Sequence, residues 1–322
     1  MRVLLAIDSS AASETVVHEA ASRPWPFGTI FCVMTVVDMA SLEGMPVLIE
    51  DAKHAAEKLV TSAAETLTTR VAATLSQSGY EVFSKVQPGV PETAIQDFAG
   101  EWPADLILIG TYGLSEVTGF FWGSVAREVI RTAPCSVEVV RRVPSHAGQG
   151  MRILLGTDGS EFSCKAAYSI ANRPWPPESQ VRILSVAEVL VGEGVAAASL
   201  PYSVYSERSL EDASTVARKH AEDAVHEARS ILRFADLKIS DSGPDVPIGD
   251  PRTALLDEAK SWDAQLIVLG SHGRRGFDPL LLGSVSESVA IRAHCSVEVV
   301  RRQGHEDASD SVSADRVVKL TQ

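Results

Sequence analysis

The chain has 322 residues, 42 of them acidic and 29 basic, for a net charge of -13. With 45% apolar and 22% charged residues it is neither collagen-like nor wholly disordered, and its length suits about two soluble domains. The acidic balance argues against a nucleic-acid binder, which needs a concentrated basic face, and no apolar run approaches the roughly 20 residues needed to cross a bilayer.

In chain order, short apolar runs alternate with helix-like stretches. Residues 3–7 form an apolar run ending in Asp8, the pattern of a buried parallel strand. A helix follows over 11–21, with Ser10 as its N-cap. The pattern then predicts strand 30–37, a long Ala/Glu/Lys-rich helix over about 50–78, and strand 81–86. Helix 91–100 has Pro91 early, where a missing N–H is harmless; strand 106–109, helix 124–132 and strand 137–140 complete the set. Residues 143–150, rich in Pro, Ser and Gly, read as a linker. The order then recurs: strand 153–157, helix 162–171 capped by Ser160, strand 181–186, helix 207–234 and a weaker strand at 237–240. Helix 251–261, strand 266–269, helix 284–293 and strand 297–300 close the second set. The 303–322 tail is polar apart from 317–320 and is expected to be largely disordered. Strands alternating with helices imply an α/β fold with parallel sheets and helices on both faces. We expect two Rossmann-like domains, residues 1–142 and 151–302, each an open five-stranded parallel sheet.

The two sets are copies of one another. Residues 1–38 lie over 151–188 without a gap, and Arg23-Pro-Trp-Pro26 matches Arg173-Pro-Trp-Pro176. Residues 89–142 lie over 249–302, and both stretches end in Cys-Ser-Val-Glu-Val-Val-Arg-Arg. The offset grows from 150 to 160, which places about ten extra residues in the second copy, within 192–209. Units this large close their own cores, so this is a duplicated domain and not a solenoid. We expect the halves to pack as a pseudo-symmetric pair through the two Ser-Val-Glu-Val-Val strands, each covering the other's exposed edge.

The segment richest in chemistry runs from Gly270 to Ser284, with spacing G-x2-G-x9-G-S between a strand and a helix. Gly270 and Gly273 are expected to turn with positive φ and bring the backbone close to a ligand. Gly283 and Ser284 open a helix, where free N–H groups and the positive end of the dipole suit phosphate oxygens. Asp158 ends the first strand at the same sheet edge. The first copy has the same spacing in Gly110, Gly113, Gly123 and Ser124. Arg274 and Arg275 become Leu114 and Ser115, and Ser286 becomes Ala126, so the second copy is the better anion site. There is no P-loop, no dinucleotide G-x-G-x-x-G, no nucleophile elbow and no triad pattern, so we expect a binder and not an efficient enzyme. The four cysteines, Cys32, Cys135, Cys164 and Cys295, show no zinc spacing and are expected to be reduced and mostly buried, as in a cytoplasm.

This glycine spacing, the strand ending in Asp, and the Cys-x-Val-x-Val-Val-Arg close resemble the universal stress protein family, over about 300 of the 322 residues. The resemblance implies the adenine nucleotide alpha hydrolase-like form of the fold and a member of the ATP-binding type, with Mg or Mn accompanying the phosphates. Carried over by position, Asp158 meets the nucleoside and the backbone near Val186 the adenine edge. Leu269, Gly270, His272, Gly273 and Arg274 line the nucleotide; Gly283, Ser284, Val285 and Ser286 hold the phosphates. The weaker first-copy set is Asp8, Val36, Ile109, Gly110, Tyr112, Gly113, Gly123, Ser124, Val125 and Ala126. The implied role is a nucleotide-linked regulator or sensor in a stress response, with protein partners and further homo-oligomers open. The alternative is a protein-interaction scaffold with degenerate nucleotide sites.

Overall fold

The protein was analysed as a computed structural model that describes residues 1–39, 50–111, 123–141, 150–188, 207–240, 246–274 and 282–301. The 143–149 part of the expected linker, most of the 192–209 insertion, the 303–322 tail, and Tyr112, Gly113 and Arg275 lie outside those residues.

The first half carries strands β1 (Arg2–Ala6), β2 (Ile30–Val37), β3 (Glu81–Pro88), β4 (Leu106–Gly110) and β5 (Ser136–Val140). Its helices span Ala11–Ser22, Glu50–Gln77, Pro91–Glu101 and Ser124–Thr132. The second half repeats them as β6 (Arg152–Gly156), β7 (Gln180–Leu184), β8 (Lys238–Ser240), β9 (Leu266–Gly270) and β10 (Ser296–Val300). Its helices span Glu161–Ala171, Glu207–Leu232, Pro251–Ser261 and Ser284–Arg292. Every expected element is present, most within two residues of its expected ends. The expected strand 181–186 stops at Leu184, because its outer neighbour β8 is only three residues long and offers no further ladder. The chain touches that ladder once more, at the isolated bridge Ala187–Ile248.

Each half is a parallel five-stranded sheet, and the two fuse into one ten-stranded sheet of order β3-β2-β1-β4-β5-β10-β9-β6-β7-β8. The fusion is the antiparallel pair β5–β10, with Glu138 opposite Glu298. This is the expected pairing of the two Ser-Val-Glu-Val-Val strands.

The period of two along each strand divides the core. Val3, Leu5 and Ile7 point to one face with Val16, Ala20, Val71 and Leu75. Leu4 and Ala6 point to the other, where Ile95, Phe98, Val129 and Ile130 form one cluster with Leu255, Val289 and Val297 of the second half. One face therefore has a core that runs unbroken across the seam. Ser10 and Ser160 cap their helices as expected, each side chain accepting from the N–H three residues on. Cys32, Cys135 and Cys295 are buried and Cys164 is partly exposed; all four are free thiols. Burial pushes the Cys32 and Cys135 thiols up to about 12, so neither is a nucleophile at neutral pH.

The seam holds polar groups that no sequence motif announced. Glu138 and Glu298 are 0% and 1% exposed. Arg23 grips Glu138 with both terminal nitrogens, at 3.2 and 2.8 Å, and Arg173 grips Glu298 at 2.7 and 2.9 Å. Arg141 and Arg301 reach across the seam. Arg301 donates to the carbonyls of Ile130 and Arg131 at the end of the Ser124–Thr132 helix, and Arg141 donates to those of Ala290 and Cys295. Each half thus places a cation on the negative end of the other half's helix.

Candidate functional site

In the second half the strand order is β10-β9-β6-β7-β8, so the direction of winding reverses between β6 and β9. A crevice opens at such a switch point, beyond the carboxyl ends of the strands. Asp158 follows β6 and Gly270 ends β9, so the fold brings the two predicted segments to opposite sides of that point.

The two loops are tied together. Asp158 Oδ1 accepts from the Ser160 N–H at 3.0 Å and Oδ2 from the Arg274 N–H at 2.9 Å. The Ser160 hydroxyl reaches the His272 carbonyl at 3.4 Å. The Gly283 N–H donates to the Ser271 carbonyl at 2.8 Å, and the buried Ser286 hydroxyl donates to the Gly270 carbonyl at 2.7 Å. These last two bonds hold the start of the Ser284–Arg292 helix against the end of β9.

The glycines act differently from expectation. Positive φ occurs at Gly159 and Gly249, among others, but not at Gly270 or Gly273. Space is what these positions require. A Cβ on Gly270 would lie 2.5 Å from the Phe162 carbonyl carbon, and one on Gly273 would lie 2.7 Å from Asp158 Oδ2. Gly270 therefore lets the Glu161–Ala171 helix pack on the strand end, and Gly273 lets the Asp158 carboxylate come close.

At the helix start, Gly283 is the N-cap and has no side chain to cover the first turn. The first backbone bond of that turn is Glu287 N–H to the Gly283 carbonyl at 2.9 Å. The N–H groups of Ser284, Val285 and Ser286 thus lie ahead of the helical ladder and suit an anion. Arg252, which sequence reasoning missed, puts a guanidinium nitrogen 3.2 Å from Ser284 Oγ. The signal was available, because the matching first-copy residue is Glu92. His272 is buried against the Phe162 ring at 4.9 Å; its Nδ1 sits 3.0 Å from Ser271 Oγ, and its Nε2 has no partner among the described residues. The Leu269 side chain is 4% exposed and belongs to the core, so only its backbone faces the crevice. Val186 and Val285 are half-buried against the same core, and Arg274 is exposed.

The first half keeps the frame and differs in chemistry. Asp8 Oδ1 accepts from the Ser10 N–H, the Ser10 hydroxyl and the Ser13 hydroxyl, so that carboxylate braces its own helix start. The Gly123 N–H meets the Thr111 carbonyl at 2.9 Å, as in the second half. Gly123 likewise leaves the first turn, with Ser124 and Val125, uncapped. Ala126 has no hydroxyl to tie the helix to Gly110, whose own Cβ would meet Ala12 Cβ at 2.9 Å. Ile109 is buried and Val36 half-buried on the core.

A family model described as the universal stress protein family matches residues 1–141 and again 151–301. A universal stress protein of Synechocystis is 37% identical over 92 residues, covering 27% of this chain and 60% of that protein. One of Mycobacterium tuberculosis is 30% identical over 214 residues, 62% of each chain. These matches therefore span less than two thirds of either relative. The crystal structure of a universal stress protein from Archaeoglobus fulgidus superposes with a TM-score of 0.60 at 19% identity, covering 94% of this chain and 97% of that one. It is a likeness of fold.

Proposed function

The chain belongs to the universal stress protein family, and from that premise we propose that it binds ATP in its second half. In this reading it acts as a nucleotide-linked regulator or sensor of a stress response and not as an enzyme. The observation that carries the proposal is the uncapped first turn at Ser284–Ser286, at the switch point, with the Arg252 guanidinium beside Ser284. Peptide N–H groups and a fixed cation are what phosphate oxygens need. On the same loop the buried His272 Nε2 has no hydrogen-bond partner among the described residues.

Binding would draw on two loops that already hold each other through Asp158 and Arg274. A nucleotide favouring one arrangement of that pair shifts the population toward it and so changes the surface offered to a partner. Mg²⁺ or Mn²⁺ would ride on the phosphates. Among the described residues no group of three or more His, Cys, Asp and Glu side chains could hold a metal. Glu92 in place of Arg252, and Asp8 committed to its own helix start, favour the first half as the weaker site.

Calorimetric titration with ATP tests this. We expect one strong site, weakened about ten-fold or more by Arg252→Glu, which installs the first half's residue. Gly283→Asp should repel the phosphates as well, although its Cβ would press on the Ser271 carbonyl at 3.0 Å, so its fold must be checked. No binding to folded, nucleotide-free protein would overturn the reading in favour of the interaction scaffold, and full affinity in Arg252→Glu would overturn the placement of the phosphates beside Arg252.

A further inference from the structure

A second cavity opens where the start of β4 and β5 in the first half meets the end of β10 and the Glu161–Ala171 helix in the second. Its volume is about 700 Å³, within the ordinary range of small-molecule sites. Met1, Pro26 and Tyr168 provide apolar wall. Arg173, Arg301 and Lys165 provide cations, and Asp105, Glu161 and Glu298 carboxylates, of which Glu298 and Glu161 are paired with Arg173 and Lys165.

Two of those cations have unmet donors among the described residues. Arg173 is 7% exposed at its side chain, spends Nη2 on Glu298 and Nε on the Ser169 carbonyl, and leaves Nη1 buried with no partner there. Arg301 is 9% exposed, and its Nε is likewise buried with no partner among the described residues. A buried guanidinium N–H without an acceptor costs free energy, which a bound anion would recover.

The duplication shows which kind of anion fits. Arg23 occupies the position of Arg173 in the first half, and there Glu19 brings a carboxylate oxygen to 3.2 Å from Arg23 Nη1. The residue matching Glu19 is Ser169, which is too short to reach Nη1 and turns its hydroxyl to Glu298 at 3.3 Å. One half sets a carboxylate beside that atom, and the other leaves it buried in the wall of a cavity with no partner among the described residues.

We propose that the seam cavity binds a small organic carboxylate with an apolar body, its carboxylate on Arg173 Nη1 and its body against the Met1–Pro26–Tyr168 wall. The site is separate from the nucleotide site, and the proposal does not rest on nucleotide binding. Lys165, which pairs with Glu161 at 3.0 Å, stands at the rim.

Octanoate is the probe, titrated calorimetrically into the full chain without ATP, with 1-octanol as the uncharged control. We expect saturable one-to-one binding of octanoate and at least ten-fold weaker binding of octanol. Ser169→Glu copies the first half's arrangement and should cut octanoate affinity at least ten-fold; it adds a fourth buried carboxylate to the seam, so its melting temperature should fall and its fold is checked first. Lys165→Glu alters only the rim and should weaken binding several-fold, which keeps the test decisive if Ser169→Glu fails to fold. Arg252→Glu should leave octanoate binding unchanged. Absent binding, equal binding of octanol, or unchanged affinity in a folded Ser169→Glu or in Lys165→Glu would overturn the proposal.

Discussion

At the scale of single residues, the glycines separate two demands that sequence alone merges. A glycine after a strand can serve a turn or a close approach, and G-x2-G-x9-G does not say which. Only the packing of the Phe162 backbone against Gly270 and of Asp158 against Gly273 decides for close approach. The motif was legible as a loop at the switch point of the sheet, but its steric cause lies in contacts with residues more than a hundred positions away. Arg252 was hidden for the same reason, since its meeting with Ser284 depends on two helices converging. The two copies make a graded prediction. Gly270→Ala meets the Phe162 backbone at 2.5 Å, whereas Gly110→Ala meets Ala12 Cβ at 2.9 Å and the Ala12 backbone only at 3.1 Å. Gly270→Ala should cost about 1–3 kcal/mol by denaturant unfolding and Gly110→Ala clearly less. Equal costs would mean that the Glu161–Ala171 helix is free to shift.

At the scale of elements, the strands and helices were readable because each apolar run or Ala-rich stretch carries its own period and caps. The pairing of β5 with β10 was readable from their identity. What that pairing buries was not, because Glu138, Glu298, Arg23 and Glu19 meet only once the antiparallel register is set. Three buried carboxylates at the seam, Glu19, Glu138 and Glu298, pair with two arginines, Arg23 and Arg173. Burial raises the Glu19 carboxyl from its ordinary value near 4.5 to about 7; Arg23 opposes that rise and Glu138 adds to it. The folded state therefore holds this proton more tightly than the unfolded chain. The stabilisation is fully present below about pH 4.5 and is lost as the pH rises through about 7, on the order of 3 kcal/mol in all. Glu19→Gln should flatten the dependence of the unfolding midpoint on pH between about 5 and 8. A wild-type midpoint that does not fall across that window, or a variant that falls equally, would refute this account of the seam.

At the scale of the whole molecule, the seam joins two unlike copies. A pair of first halves would bury two Glu19 and two Glu138 against two Arg23, while a pair of second halves would bury two Glu298 against two Arg173, in balance. Uncompensated buried charge is expensive. Separately expressed fragments of residues 1–141 and 151–301 should therefore both self-associate in sedimentation experiments, the second about ten-fold or more tightly than the first at pH 8, with the gap narrowing toward pH 6. Equal association at both pH values would show that the strand ladder alone governs the pairing.

The covalent joining of β5 to β10 through a single chain has a consequence for dosage. Two separate chains sharing such a seam assemble in proportion to the square of their abundance, and they come apart when the cell makes few copies. Here each half meets its partner at the effective concentration of a short tether, on the order of millimolar. The ten-stranded sheet is thus complete in every molecule at any expression level, and its output rises linearly with the number of chains from the first copy made.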